Sequence, residues 1–419
     1  MRLTRPSEEP VDLVDLDEVD LIDPVLHAEG DPHAVWQAMR AREPVHWQQV
    51  RPDLGFWSAT TYEDVATVLR DHTAFTSEHG TLLNLLGRTD PAGGRQLPAT
   101  DPPRHTRMRS PIQRALNGRV VANHRDVIRD EIRFLFADVV DGEPFDFAEL
   151  TGKLPMAVIG TLMGLDRDDW PHLTFLTTQA VAPDDPEYVR PEGAQATVDR
   201  AHRELFASLH EAIGRRTGNG RTDLIDVLCK IGVDDGDPLR AGEIVSNCYS
   251  VLLGANVTTP HVPNSTMVEL IERGLYARWA SDPGLLDTGI EEALRWSSPT
   301  SHFIRYATRD LELGDVTIQE GDAVAAWIGS ANRDASVFPD PFTFDVRRRS
   351  AQRHLAFGVG PHYCLGHALV RITLEEFFRE LFAQFEHVEL AGEPDHLHSN
   401  FIAGIKHLPL TATRRKPLS

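Results

Sequence analysis

The sequence has little cysteine, no long apolar run and no excess of basic charge. Three cysteines, at positions 229, 248 and 364, are too few and too odd in number for the disulfide framework of a small secreted domain. The longest apolar run, Cys248 to Val257, is interrupted by polar residues. It has about half of the roughly twenty residues that a spanning helix needs. The acidic start, MRLTRPSEEPVDLVDLDEVDLIDP, lacks the apolar centre of a signal peptide. We therefore expect a cytoplasmic protein that does not contact a membrane.

The charge balance is strongly acidic. In the 419 residues, 42 Lys and Arg stand against 63 Asp and Glu, a formal net charge of −21. Phosphate backbones and anionic lipid surfaces repel such a chain, so we expect no nucleic-acid partner. Hydrophobic residues make up 41% of the sequence, which is typical of a globular protein. We expect a monomer.

The hydrophobic pattern predicts a mainly α fold with a small β-rich portion. Helical spacing dominates from about residue 100 to 296, and short strand-like runs follow over 303–328. Strands and helices do not alternate, which argues against a doubly wound sheet. Residues 1–24 read as a loosely held acidic arm and residues 25–419 as one domain. A Gly- and Leu-rich loop over 76–100 is long enough to predict a functional role.

Local signals place several further elements. Thr61 is the expected N-cap of a helix beginning at Tyr62, and Gly55 is the expected turn between two short strands. A long central helix is predicted over about 241–272, bent by Pro260 and Pro263 because proline removes helix hydrogen bonds. Another helix is predicted over about 365–385.

The most informative segment is HLAFGVGPHYCLG, residues 354–366, which ends where that last helix begins. Backbone N–H groups in a Gly-rich turn and the helix N-terminus both favour a thiolate at Cys364. Glycines at 358, 360 and 366 let the backbone pass close to a large flat ligand. The alternative is a buried, inert cysteine beside a turn. Zinc is not indicated, since the sequence has no CxxC pair.

FGVGPHYCLG closely resembles the cysteine-ligand loop of cytochromes P450, whose pattern is FGxGxHxCxG. The resemblance covers nearly the whole chain from about residue 20. It implies the cytochrome P450 fold and haem b (iron protoporphyrin IX), with Cys364 as the axial ligand of the iron. It also implies that Phe357, Gly358 and Gly366 contact the cofactor.

EEALRW supplies a second, independent match. Glu292 and Arg295 are three residues apart on one helix face, where they can pair. Alone, such a pair is usually a solvated surface contact. Its position before the cysteine loop resembles the ExxR pair of the family, which an arginine from FDVRRRS joins. Counting leaves Arg348 and Arg349 as candidates, and we favour Arg348.

TDPPRHTRMRS supplies a third match. His105 and Arg109 are four residues apart and face the same way on a helix that begins near Pro103. The resemblance implies that this pair binds a haem propionate, with Arg305 and His354 as further propionate ligands. A buried dianionic group needs such charge-assisted donors. Each residue alone reads as a surface cation.

LLGANVTTPH resembles the oxygen-binding kink of the family's central helix, but it departs from the pattern at one position. Gly254 and Ala255 are the small residues expected beside the haem, and Thr258 matches the threonine that hydrogen-bonds oxygen. Val257 stands where the family has an acid. Asn256 can donate and accept hydrogen bonds but is a poor proton source. We expect protons to come through water, Asn256 or a substrate group.

The resemblance also predicts the substrate wall and the partners. The wall residues expected are Leu82, Leu83, Leu86, Val181, Val251, Phe303, Phe401 and Ile402. They predict a mostly apolar pocket for a small organic molecule, such as a natural product, free or bound to a carrier protein. Electrons are expected from NAD(P)H through a ferredoxin reductase and a ferredoxin. The arginines at 104, 107, 347, 348, 349 and 353 are candidates to bind the acidic ferredoxin.

The implied reaction is insertion of one oxygen atom from O2 into the substrate. Two other interpretations remain open. In one, the same haem-thiolate site performs aryl coupling, nitration or desaturation, which the valine at position 257 motivates. In the other, the chain is a haem-binding or carrier-binding module that has lost catalysis, against which the retained Gly254, Ala255 and Thr258 argue.

Overall fold

The structure is a computed structural model that describes residues 14–215, 223–233 and 236–416. Helices account for most of the regular structure, as the sequence predicts. The α-helices are α1 (Pro24–Ala28), α2 (Pro32–Arg42), α3 (Tyr62–Arg70), α4 (Arg104–Ala115), α5 (Gly118–Ala122), α6 (Arg125–Ala137), α7 (Phe147–Pro155), α8 (Thr161–Met163), α9 (Trp170–Val181), α10 (Ala194–Gly214), α11 (Leu224–Cys229), α12 (Ala241–Asn256), α13 (His261–Glu272), α14 (Tyr276–Ala280), α15 (Leu286–Ser297), α16 (Ile328–Ala331) and α17 (His367–Gln384).

The strands form one five-stranded sheet and several small ones. They are β1 (Val45–Arg51), β2 (Leu54–Ala59), β3 (Phe75–Thr76), β4 (Phe145–Asp146), β5 (Gly232–Val233), β6 (Asp237–Pro238), β7 (His302–Ala307), β8 (Leu311–Leu313), β9 (Val316–Ile318), β10 (Ala323–Trp327), β11 (Phe385–Leu390), β12 (Asp395–His396), β13 (Ile405–His407) and β14 (Pro409–Arg414). The main sheet has the order β1-β2-β10-β7-β3, and only β2 and β10 are parallel neighbours. It therefore joins two distant parts of the chain, and the prediction against a doubly wound sheet is confirmed.

The helices enclose the larger hydrophobic core. Ile132, Leu154, Leu252 and Phe377 are buried there, and they come from α6, α7, α12 and α17. A second core lies on the five-stranded sheet. Among the described residues, no helix has both the length and the hydropathy needed to cross a membrane.

The N-terminal segment differs from its prediction as a loose arm. Residues 1–13 lie outside the described part of the chain, but residues 14–24 pack onto the body. Leu21 is 1% exposed and Leu16 is 6% exposed, in the same core cluster as Trp36. Leu16 and Leu21 form an apolar face of a segment that is acidic overall, and the burial of this face holds the segment on the body.

Local predictions have mixed outcomes. Thr61 does cap α3, because its side chain accepts a hydrogen bond from the backbone N–H of Asp64. Gly55, however, lies inside β2 rather than in the turn. A Cβ at Gly55 would lie 2.4 Å from the Trp47 ring, so the absence of a side chain here lets the tryptophan of the neighbouring strand pack over the Gly55 backbone.

The predicted central helix is two helices. α12 ends at Asn256 and α13 begins at His261, with turns between them. Pro260 has no N–H to donate to the carbonyl of Asn256, which explains why the hydrogen-bond ladder stops there. Pro263 falls in the first turn of α13, where a missing N–H costs nothing.

Candidate functional site

A cavity of about 1210 Å³ lies between α12 and the loop that carries Cys364. Its walls come from α4, α9, α10 and α12, the loop over 81–98, the start of β7 and residues 398–401. Of the candidate site residues, the cavity is lined by Leu82, His105, Arg109, Val181, Val251, Ala255, Thr258, Phe303, Arg305, Phe357, Gly358, Cys364, Gly366 and Phe401. Segments far apart in the sequence therefore meet at one site.

The cysteine loop has a defined shape. Its backbone closes on itself, since the N–H of Cys364 donates to the carbonyl of Phe357 at 2.8 Å. Gly358 and Gly360 have φ values of 67° and 77°, which favour glycine. A Cβ at Gly360 would also lie 2.7 Å from the Cα of Arg70, so this glycine lets the loop pack against the end of α3.

Two opposing effects act on the Cys364 thiol. Burial raises its pKa, whereas the backbone N–H groups of Gly366 and His367 and the positive charges of Arg109 and Arg371 lower it. Burial is the larger effect in the protein alone. The surrounding donors and cations stabilise negative charge on sulfur, which suits a thiolate whose charge a metal cation shares.

One end of the cavity carries the basic side chains of His105, Arg109 and Arg305, and no ion pair between them and a carboxylate is found among the described residues. His362 beside them lies 3.9 Å from the carboxylate of Asp101. His105 is 1% exposed, and neither of its ring nitrogens has a hydrogen-bond partner in the described structure. Its ring lies 4.4 Å from that of His362, centroid to centroid. Burial, with His362 and Arg109 nearby, lowers the pKa of His105 to about 3. Arg109 donates to the carbonyl of Tyr363, which ties α4 to the cysteine loop.

Arg305 completes this basic end. It is 4% exposed and donates at 2.8 Å to the carbonyl of its neighbour Ile304. Burial lowers its pKa to about 10. Buried cations without carboxylate partners are costly unless an anion joins them. This end therefore fits an anionic ligand group.

The floor and ceiling of the cavity fit a flat group. Cβ atoms built on Gly254 and Gly358 would meet no atom of another segment within 4 Å, and both glycines line the cavity. With the Cys364 thiol on the floor and the cations of Arg109 and Arg305 at one end, the residues present fit haem, whose flat ring carries two propionates. Clusters of three metal-ligating side chains are absent from the described ranges.

His354 lies elsewhere. It does not line the cavity, and its ring Nε2 is 3.2 Å from the carboxylate of Glu291. His362, eight residues later in the same segment, lines the cavity instead and is within 3.2 Å of the Ser77 hydroxyl. Between them, Gly358 and Gly360 adopt positive φ values, so the backbone does not continue in a regular conformation from His354 to His362. The expectation that His354 faces a haem propionate is therefore wrong, and His362 is the histidine of this segment that lines the cavity.

The ExxR pair is buried behind the cysteine loop. Arg295 and Glu292 are fully buried and joined by two hydrogen bonds of 2.7 and 2.8 Å. Arg348 reaches the same carboxylate at 3.2 Å, so of the two arginines considered it is the one in contact. Arg295 also donates to the carbonyl of Asn332 at 2.8 Å. The three side chains connect α15 to the segment before the cysteine loop.

The end of α12 faces the cavity above Cys364. Thr258 Oγ1 donates to the carbonyl of Gly254 at 2.9 Å, and both residues line the cavity with Ala255. The hydroxyl oxygen keeps its lone pairs free to accept a hydrogen bond from the cavity. Val257 also lines the cavity, and it is 5% exposed.

The side chain of Asn256 points away from the cavity. Its side-chain amide donates to Thr177 Oγ1 on α9 at 3.2 Å, and it does not line the cavity. The expectation that Asn256 relays protons is therefore corrected. Consecutive residues of a helix point about 100° apart, so side chains two positions apart lie on nearly opposite sides of the helix axis. Asn256 therefore faces α9 while Thr258 faces the cavity.

Three expected wall residues belong to the core. Leu83 and Leu86 pack in the cluster of Trp36, and Ile402 is fully buried against the Val257 cluster. Loops lack a regular period, so sequence spacing could not tell which leucines of 82–86 face inward. Leu82, Val181, Val251, Phe303 and Phe401 do line the cavity.

The cavity has a polar side that the sequence analysis missed. It comprises Gln96, His202, Ser246, Asn247, Tyr249 and Ser250. Ser246 and Ser250 are one helical turn apart on α12, a spacing that could have signalled a polar stripe. Asn247 accepts from the N–H of Leu97 at 2.8 Å, which fixes the end of the 76–100 loop against α12.

Comparisons with known proteins agree with this geometry. The sequence model of the family described as Cytochrome P450 matches residues 284–411. Cytochrome P450 NovI of Streptomyces niveus is 33% identical over 414 residues, which are 98% of this chain and 99% of that protein. Linalool 8-monooxygenase of Pseudomonas putida is 31% identical over 406 residues, 94% of this chain and 98% of that protein.

Solved structures have the same fold. P450 OxyD, described as involved in the biosynthesis of vancomycin-type antibiotics, superposes with a TM-score of 0.84 at 31% identity and covers 95% of this chain and 100% of its own. A Mycobacterium marinum cytochrome P450 in complex with pseudoionone superposes with a TM-score of 0.87 at 26% identity, covering 97% and 100%.

Proposed function

The chain belongs to the cytochrome P450 family, and we propose that it inserts one oxygen atom from O2 into a small organic substrate. Its relatives are named monooxygenases, so it is an oxidoreductase with a haem cofactor. The observation that carries the proposal is the cavity shared by Cys364 on one side and Ala255 and Thr258 on the other.

We assign the cofactor as haem b, with Cys364 as the ligand of its iron. His105, Arg109, Arg305 and His362 would hold the propionates by charge-assisted hydrogen bonds. Bound haem supplies the reductive activation of O2, which a thiolate ligand favours. The buried Glu292 cluster keeps the loop in position from behind.

The chain's own part in the reaction is to position water and substrate. Thr258 Oγ1 can accept a hydrogen bond from a water molecule while it donates to the Gly254 carbonyl. Val257 has no proton to give. The side-chain amide of Asn256 donates to Thr177, and Asn256 does not line the cavity. Protons therefore reach Thr258 through water or a polar group of the substrate.

Electrons are proposed to come from NAD(P)H through a reductase and a ferredoxin. Arg107, Arg347, Arg349 and Arg353 are exposed and can attract an acidic partner. Arg104 and Arg348 were candidates by sequence, but they pair with internal carboxylates, Arg104 with Glu243 at 2.7 Å. The four exposed arginines are the better docking candidates.

A natural product is the proposed substrate, free or bound to a carrier protein. The relationship to OxyD, described as acting in antibiotic biosynthesis, supports this class. The valine at position 257 keeps a second reaction open, namely aryl coupling, nitration or desaturation at the same site. Product mass separates them, because insertion adds one oxygen, coupling or desaturation removes two hydrogens, and nitration adds NO₂ in place of a hydrogen.

The optical spectrum of the dithionite-reduced protein with carbon monoxide tests the cofactor assignment. We expect a strongly red-shifted Soret band, lost in Cys364→Ala and kept in the control Cys229→Ala, whose cysteine does not line the cavity. A Soret band typical of histidine ligation, or no haem in folded protein, would refute the assignment. Consumption of electrons without any product would instead support a module that has lost catalysis.

A further inference from the structure

A histidine and a tyrosine meet on the cavity wall, away from the cysteine. His202 Nε2 and the Tyr249 hydroxyl oxygen are 2.9 Å apart, joining α10 to α12. Both residues line the cavity. Phe206, one turn after His202, packs edge-on against the Tyr249 ring at 5.2 Å and nearly parallel to the His202 ring at 6.0 Å.

We propose that the His202–Tyr249 pair is a substrate subsite that binds a neutral hydroxyl or carbonyl group at the far end of the substrate. The proposal rests on the proposed function, because the other end of the substrate must lie at the haem. Along α12, Tyr249 lies about 9 Å from Ala255, six residues at 1.5 Å each. A molecule that spans the cavity can therefore react at one end and be held at the other.

The Tyr249 hydroxyl can make a further hydrogen bond beside the one that it shares with His202. One proton is shared between His202 Nε2 and the Tyr249 oxygen, so whichever group donates it, the tyrosine oxygen retains another site for a ligand. Burial lowers the pKa of His202 and raises that of Tyr249, which keeps both neutral at pH 7. Ser250, the next residue on α12, lines the cavity, and no hydrogen bond of its hydroxyl is found within the described ranges.

The surroundings favour a neutral group over an anion. Asp199 lies one turn before His202 on α10, also lines the cavity and accepts a hydrogen bond from Gln195 at 2.9 Å. A carboxylate ligand would meet this negative charge at close range. The ring faces of Phe206 and Tyr249 provide the apolar wall that an aliphatic or aromatic stem needs.

A series of N-alkylimidazoles tests the subsite without knowledge of the natural substrate. The imidazole nitrogen binds the haem iron and shifts the Soret band, and the alkyl chain, from butyl to dodecyl, extends along the cavity. Each chain is compared with a methyl, a hydroxyl and a carboxylate end. We expect the hydroxyl end to bind roughly five-fold more tightly than methyl at one chain length, the factor of one neutral hydrogen bond.

Tyr249→Phe should abolish this advantage and leave the affinity of the methyl-ended probe within about two-fold, because the ring remains and one neutral hydrogen bond is lost. The control Phe206→Leu should weaken hydroxyl and methyl probes equally. A hydroxyl advantage that persists in Tyr249→Phe, or that occurs at no chain length, overturns the proposal. Tighter binding of the carboxylate end also overturns it. If no imidazole shifts the Soret band, the haem assignment itself fails.

Discussion

The side-chain amide of Asn256 donates to the hydroxyl of Thr177 at 3.2 Å, while Thr258, two residues later, lines the cavity. This contact turns the amide of Asn256, the neighbour before position 257, away from the cavity, so it does not replace the missing acid there. The end of α12 at Asn256 thus separates an amide that bonds to α9 from a threonine that lines the cavity.

The two residues should respond differently to truncation. Thr258→Ala should lower product formed per NAD(P)H consumed and raise hydrogen peroxide, because water loses its acceptor beside the haem. Asn256→Ala should leave that ratio unchanged and lower thermal stability, since it loses only the bond to Thr177. Product, peroxide and NAD(P)H are measured together. Equal loss of coupling in both variants would contradict the assignment.

Placing an acid at position 257 should improve coupling at the expense of stability. Val257 is 5% exposed in an apolar cluster with Val181 and Leu397, so a carboxyl there costs about 2 kcal/mol or more. We expect Val257→Asp to raise product per NAD(P)H and lower Tm. Val257→Asn is the control, with similar polarity but no proton to give. If coupling is unchanged or falls in the aspartate variant, the missing acid does not limit the reaction.

The buried ExxR cluster should be far more sensitive than a surface ion pair. Glu292→Gln leaves Arg295 and Arg348 without their carboxylate and should lower the free energy of unfolding by about 3–5 kcal/mol. Glu149→Gln, which breaks the exposed pair with Lys153, should change it by less than about 1 kcal/mol. Urea unfolding measures both. Similar small losses would show that the cluster does not brace the fold.

Replacing the two histidines of the 354–366 segment distinguishes their roles. His362→Ala should speed haem loss about ten-fold or more, because it removes the charge-assisted hydrogen bond that we propose His362 donates to a propionate. His354→Ala should leave the rate of haem loss nearly unchanged, since His354 contacts Glu291 and not the cavity. Transfer of haem to apomyoglobin measures the rate. Faster loss in His354→Ala alone would show that His354, and not His362, holds a propionate.

Buried histidines should make the protein sensitive to acid. Burial lowers the pKa of His27 to about 4 and that of His302 to about 3, and it lowers the pKa of His33 well below 6.5. The unfolded chain binds protons at these residues below about pH 6.5, whereas the folded protein does not. The contribution of these three histidines to the free energy of unfolding should therefore fall as pH drops from 6.5 towards 4, and it should be constant well above pH 6.5.

His33→Phe tests this pH dependence. Neither ring nitrogen of His33 has a hydrogen-bond partner among the described residues, and the ring packs edge-on against Trp36 at 5.1 Å. Phenylalanine keeps that contact and cannot be protonated, so Tm should fall less steeply with acid than in the parent protein. An unchanged slope would mean that His33 does not contribute.

The sequence alone identified the family, the helical fold and the cysteine loop. These features are encoded in short contiguous segments, so their geometry follows from nearby residues. The loop shape depends on glycines that adopt positive φ, and Thr61 caps its helix through a backbone group three residues away. Such relationships appear directly in the spacing of residue types.

Only the tertiary structure decided which neighbouring side chains face the cavity. His362 rather than His354, Leu82 rather than Leu83, and Thr258 rather than Asn256 line it, and each choice depends on partners distant in sequence. Asn256 turns towards Thr177 on α9, and His202 meets Tyr249 from another helix. A side chain's direction depends on how helices end and pack against one another, and that information is absent from any local pattern.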